Sequence, residues 1–216
     1  MCFSATASFG SGTLLLAIGT VTLRMARRPA ERPYAAIPLL FAVQQLVEGV
    51  VWLSFSGPAW LNFTATQAYS LFSHVLWPVY IPLAAWLLEP GGPRRRGLFS
   101  FLAVGLAVGA YLLYNLVVNP ILARPVGGHV DYQSPHFYIA ASMTLYLLAT
   151  TVSLLVSSHV WVKVFGALAL GASFLSYLFY ARWFISVWCF FAALLSVAVA
   201  LHFVAPRSIL HQRIPS

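Results

Sequence analysis

Apolar residues run along this chain in blocks of about twenty, free of charge, with short polar connectors between them. At ~1.5 Å of rise per residue, such a block spans the ~30 Å hydrocarbon core of a bilayer as one helix. Barrel strands would instead alternate polar and apolar positions over ~10 residues. The blocks cover residues 8–23, 36–55, 65–88, 98–118, 137–156, 160–180 and 183–204. The first is slightly short, and only Ala181 and Arg182 separate the last two, which requires a tight turn. The expected fold is all-α, an integral membrane bundle of seven transmembrane helices in a single domain over residues 1–216. Within it, residues 1–7 are expected to fold as an outer segment onto the bundle, and residues 205–216 to form a cytoplasmic tail.

Composition agrees, since 61% of the residues are hydrophobic and 7% charged, against roughly 25% charged in soluble domains. The net charge of +8 raises nucleic acid as a partner, but the placement of the charges excludes it. Arg24, Arg27, Arg28 and Arg32 share the first connector, Arg94, Arg95 and Arg96 the third, Lys163 lies in the fifth, and Arg207 and Arg213 are in the tail. The opposite side carries only Arg124 and Arg182. Basic connectors stay in the cytoplasm, so the N-terminus is expected outside and the C-terminus inside, which requires an odd number of spans. The bilayer, including its anionic lipids, is then the partner of these cations.

No basic segment precedes the first apolar block, as a removable signal peptide would need, and no apolar segment precedes Cys2 to make a lipobox. Two cysteines, Cys2 and Cys189, are too few for a disulfide framework. Trp60, Trp161, Trp183 and Trp188 fall near span ends, where aromatic belts form. The longest connector, 119–136, holds Arg124, His129, Asp131 and Tyr132; it is either a functional loop or an ordered cap.

Ionisable groups inside a span are costly and point to function. Of four acids, Glu48 alone lies deep in a span, and Gln44 and Gln45 adjoin it at helical spacing. That stripe faces the bundle interior, either as a packing device or as a site. His74 is the one mid-span histidine, followed by Pro78 and Pro82, which free carbonyls and kink the helix. Glu48 and His74 each lie ~10–14 Å below the outer surface on consecutive antiparallel helices, close enough in depth to meet. Cys189 and Met143 fall near the same level, and each is equally readable as apolar filler. Cys2 stands in MCFSATASFGSG, an uncharged small-residue segment suited to close packing against the outer mouth.

The opening MCFSATASF, with PLLFAVQQLVEGVVW, FSHVLWPVYIP and ISVWCFFAALLS, resembles a bacterial multi-pass membrane family of unknown function whose members begin with MCFSA. The resemblance spans nearly the whole chain and falls on Cys2, Ser4, Gln44, Gln45, Glu48, Gly49, Ser73, His74, Trp77, Pro82, Trp188 and Cys189. It implies a bacterial inner-membrane protein of about seven helices, with little said about chemistry.

The leading functional expectation is a mononuclear copper site near the outer face, with Cys2, Glu48 and His74 as ligands. Gln44, Gln45, Cys189 and Met143 would be supporting or reserve groups. Thiolate and imidazole suit copper, whereas structural zinc takes four protein ligands. The role would be electron transfer, copper handling or redox sensing, with a redox partner protein and a homo-oligomer both open. Haem is not expected, because His74 has no second histidine at its depth; only a His74–Met143 pair remains formally open. Seven-helix zinc amide hydrolases need several intramembrane His and an Asp, which this chain lacks; a thiol enzyme built on Cys2 stays open. The alternative is a small-solute or ion transporter using Glu48 and His74, with helix three broken at its prolines.

Overall fold

The computed structural model describes residues 4–204, and the fold is mainly helical. Helix α1 runs Ala5–Met25, α2 Ile37–Ser54, α3 Ala59–Leu88, α4 Pro93–Val118, α5 Ala140–Val156, α6 Val160–Tyr180, α7 Phe184–Leu195 and α8 Val197–Val204. Among the described residues, five stretches are long and apolar enough to cross a membrane: Ala5–Met25, Pro29–Ser54, Ala59–Leu88, Pro93–Val118 and Val160–Val204; α5 is a shorter apolar helix. The last stretch breaks at the 3-10 turn Ala181–Trp183, the tight turn expected there. Leu14, Leu106, Phe174 and Phe179 are among many large apolar side chains left exposed around the bundle, as a lipid-facing surface requires.

One element departs from an all-α fold. The long connector folds as a β-hairpin, with β1 (Leu122–Val126) paired antiparallel to β2 (His129–Gln133) and Val126 opposite His129. The two-residue loop is Gly127–Gly128, with φ of 58° and 77°. Both values demand glycine and suit the twist of a two-residue hairpin turn. β2 is buried from His129 to Tyr132, so the hairpin is an ordered cap. Asp131 accepts two hydrogen bonds from the Arg182 guanidinium, at 2.9 and 3.1 Å. His129 stacks on Trp183 with centroids 4.7 Å apart.

Lipid provides little hydrophobic drive between helices, so close backbone approach and interhelical hydrogen bonds hold the bundle. Gly12 and Gly19 of α1 lie against Leu46 and Leu39 of α2, and Gly49 of α2 lies against the Phe9 ring. A side chain at Gly19 or Gly49 would come within 2.7 Å of those groups. Gly105 and Gly109, four apart on α4, face Pro78 and Val79 of α3. At the opposite end from the hairpin, Glu89 accepts from Ser157 Oγ (2.8 Å) and the Ser158 amide (2.9 Å), pinning the end of α3 to the α5–α6 turn. Trp60 is exposed, but Trp188 does not join a belt. It is buried, stacks on Phe184 and donates to the Ala169 carbonyl at 3.1 Å.

Gly105→Ala should cost about 1–3 kcal/mol, because its Cβ runs into the Pro78 carbonyl, a backbone atom that cannot swing aside. Gly10→Ala, with open space around it, should stay within about 0.5 kcal/mol. Unfolding in mixed micelles would measure both.

Candidate functional site

The buried stripe on α2 lies where the spacing of Gln44, Gln45 and Glu48 places it: all three side chains are fully buried. Each finds partners on a different helix. The Trp77 indole of α3 donates to Gln44 Oε1 at 2.6 Å, and the same ring stacks on Phe41 at 3.9 Å. Because the indole is only a donor, this bond fixes the Gln44 amide with its NH2 turned away. Ser11 of α1 donates to Gln45 Oε1 at 3.3 Å. Ser186 of α7 donates to Glu48 Oε1 at 2.7 Å.

The Glu48 carboxyl also lies beside the Gln45 amide and the Tyr69 phenol of α3. Among the described residues, its second oxygen, Oε2, nevertheless finds no hydrogen bond of ordinary geometry, and neither does the Nε2 of Gln44 or of Gln45. Among the described residues, three polar atoms on one helix face are therefore buried without a hydrogen bond of ordinary geometry, close to the Tyr69 phenol and the Cys189 thiol. Each such atom costs about 1–3 kcal/mol unless something occupies the space it faces. Cys189 of α7 is buried and sits beside Gln44, Tyr69 and Glu48. The site thus combines a carboxyl, two amides, a phenol, a hydroxyl and a thiol.

His74 belongs to a different group. It lies in a π-helical turn, Leu71–Leu76, a distortion common at functional sites. Its Nδ1 is 2.8 Å from Ser73 Oγ and its Nε2 2.9 Å from Ser134 Oγ, just beyond β2. Ser73 Oγ donates to the Ser70 carbonyl (3.4 Å), so it accepts from Nδ1–H. Nε2 is then the acceptor, and the Ser134 hydroxyl donates to it. Phe137 packs edge-on to the ring at 5.0 Å, and the Tyr146 hydroxyl donates to the Ser73 carbonyl.

The depth estimate held Glu48 and His74 close enough to meet, yet no hydrogen bond or ion pair joins them. Depth fixes height along the bundle but not which way each helix turns its face. Cys2 lies outside the described residues. Among the described residues, no three His, Cys, Asp or Glu side chains come together as a metal-holding group. Met143 is half-buried and packs against the core. Sequence reasoning missed Tyr69, Ser186 and Ser134. The first two carried no signal, since Ser and Tyr are ordinary span residues. Ser134 follows a Gly-Gly hairpin that the sequence does announce.

These features define a class, a helical membrane protein with a buried acid-centred polar cluster and a hairpin cap. The chain belongs to a family of unknown function (DUF6629), whose family model matches residues 1–213. No curated protein and no solved structure matches it.

Trp77→Phe should cost about 1–3 kcal/mol by stranding Gln44 Oε1 without a donor. The double variant Trp77→Phe/Gln44→Leu should recover most of that loss. Thermal unfolding in detergent of the wild type, both single variants and the double variant completes the cycle.

Proposed function

We propose that this chain is a seven-span bacterial inner-membrane protein, N-terminus outside, that carries a small polar solute or ion through a site at Glu48. The observation behind this reading is a set of three buried atoms that make no hydrogen bond of ordinary geometry among the described residues: Glu48 Oε2, Gln44 Nε2 and Gln45 Nε2. A carboxyl oxygen asks for a donor or a cation, and the Gln44 amide asks for an acceptor. Water, ammonia, an amide or a hydrated ion offers both. Rings and packed glycines close α1 onto α2 beside this face, so an occupant is held by side chains of α1, α2, α3 and α7.

Flux in proteoliposomes tests the reading. Stopped-flow light scattering would follow urea and glycerol, and electrodes would follow ammonium and sodium. At least one should move well above protein-free liposomes, and Glu48→Gln should cut that flux at least ten-fold. Equal flux in wild-type, Glu48→Gln and empty liposomes would sink the transport reading. The orientation has its own check. A green fluorescent protein fused after Ser216 should fluoresce and an alkaline phosphatase fused there should be inactive; the reverse result places the C-terminus outside.

A copper reading stands second, supported by the Cys189 thiol lying beside Glu48 and Tyr69. Thiolate favours copper, and Cys2 would add a second sulfur. His74 would join only by giving up Ser73 or Ser134. About one copper per chain after gentle purification, with a sulfur-to-copper band lost in Cys2→Ala or Cys189→Ala, would favour redox chemistry or copper handling. No bound copper before or after reconstitution would remove that reading.

A further inference from the structure

A cavity of about 340 Å³ lies at the hairpin end of the bundle, between α4 and the segment that follows β2. It is distinct from the Glu48 cluster, none of whose residues line it. Its polar lining is His74, Asn115, Asn119, Gln133, Ser134 and His136. Leu112 and Leu116, one turn apart on α4, supply the apolar wall.

Two features define what fits. First, no Asp, Glu, Lys or Arg lines the cavity, although basic side chains are plentiful in this chain. A charged head group would find no counter-ion in this lining. Second, the polar groups lie in a chain that ends at a fixed hydrogen bond. Nδ1–H of His74 is committed to Ser73, and the Ser134 hydroxyl hydrogen to Nε2. Ser134 Oγ therefore keeps lone pairs for an incoming hydroxyl. The Asn115 amide donates to the Tyr111 carbonyl (2.8 Å), which leaves its oxygen as a second acceptor. Pockets with an apolar wall and a few fixed polar groups are the usual form of a small-molecule site.

We propose that this cavity binds a neutral amphiphile from the membrane, with an apolar body against Leu112 and Leu116 and a hydroxyl that donates to Ser134 Oγ or the Asn115 side-chain oxygen. That chemistry has two sources in a bilayer, a quinol head and an aliphatic alcohol such as a glyceride end.

Photoaffinity labelling of the full chain in nanodiscs, with a diazirine analogue of 1-decanol mapped by mass spectrometry, tests the proposal. Saturable adducts are expected within residues 112–136, competed by excess 1-decanol and not by decanoate. Competition by decylubiquinol, kept reduced, at lower concentration than 1-decanol identifies the quinol source; the reverse order identifies the alcohol. Leu112→Trp fills the space and Ser134→Ala removes the polar end without filling it. Either should cut labelling at least five-fold, whereas Leu106→Trp, on the exposed face of α4, should not. Labelling spread over lipid-facing residues, labelling untouched by both cavity variants, or equal competition by decanoate would overturn it.

Discussion

Hydrocarbon offers no hydrogen bonds, and much of the placement of polar side chains in this bundle answers that constraint. Many solve it locally. Thr13, Thr20, Thr22, Thr150, Thr151 and Ser153 each return their hydroxyl to the carbonyl four residues earlier, so they ask nothing of neighbouring helices. Gln44, Glu48, His74 and Glu89 have no such local answer. Each reaches another element: Trp77, Ser186, Ser134 and the Ser157–Ser158 turn. Single interhelical bonds in membranes contribute modestly, about 0.6 kcal/mol on average. Their larger effect is to fix rotation, because a buried amide or carboxyl left facing the wrong way forfeits its partner.

Glycine supplies the complementary half. α1 can lie on α2 only because Gly12, Gly19 and Gly49 leave room for Leu46, Leu39 and Phe9. That approach brings Ser11 within reach of Gln45. On the other flank, Gly105 admits the Pro78 carbonyl, in the stretch of α3 that follows the π-helical turn. A π turn carries about one residue more than an α turn and so rephases the helix after it. Tyr69 and His74, five residues apart on α3, serve different surroundings: Tyr69 lies beside Glu48 and Cys189, and His74 lines the cavity beside α4.

The helical stretches were legible because hydropathy over twenty residues is a one-dimensional signal. Even the break near Ala181 could be read from the shortness of the gap. The inward face of α2 was legible too, since Gln44, Gln45 and Glu48 repeat at helical spacing and have no other tolerable direction. The partners were not legible. Ser186 lies 138 residues from Glu48 and Ser134 lies 60 residues from His74, and nothing local marks a serine as the one chosen. The π turn was hidden for a related reason. Pro78 announced a disturbance in α3, but not the π-helical turn that holds His74. The hairpin is a different case: Gly127–Gly128 between Val126 and His129 is a turn signal in its own right, masked by reading the connector only for charge and length.

That hairpin binds the two polar regions into one device. Tyr132 stacks on Tyr69 at 4.5 Å with the rings nearly parallel, and Tyr69 lies beside Glu48. Ser134, two residues further on, donates to His74 over the cavity. Residues two apart on extended chain point to the same side, so one short segment of backbone serves both the acid cluster and the cavity. The segment is itself held by the Asp131–Arg182 pair and by the His129–Trp183 stack. The Arg182 charge, one of only two basic residues outside the basic connectors, is thereby spent on the cap. Moving the hairpin by the length of a hydrogen bond would part Tyr132 from Tyr69 and Ser134 from His74 together. The two contacts are thereby tied through a rigid two-residue spacing, with no hydrogen bond between Glu48 and His74.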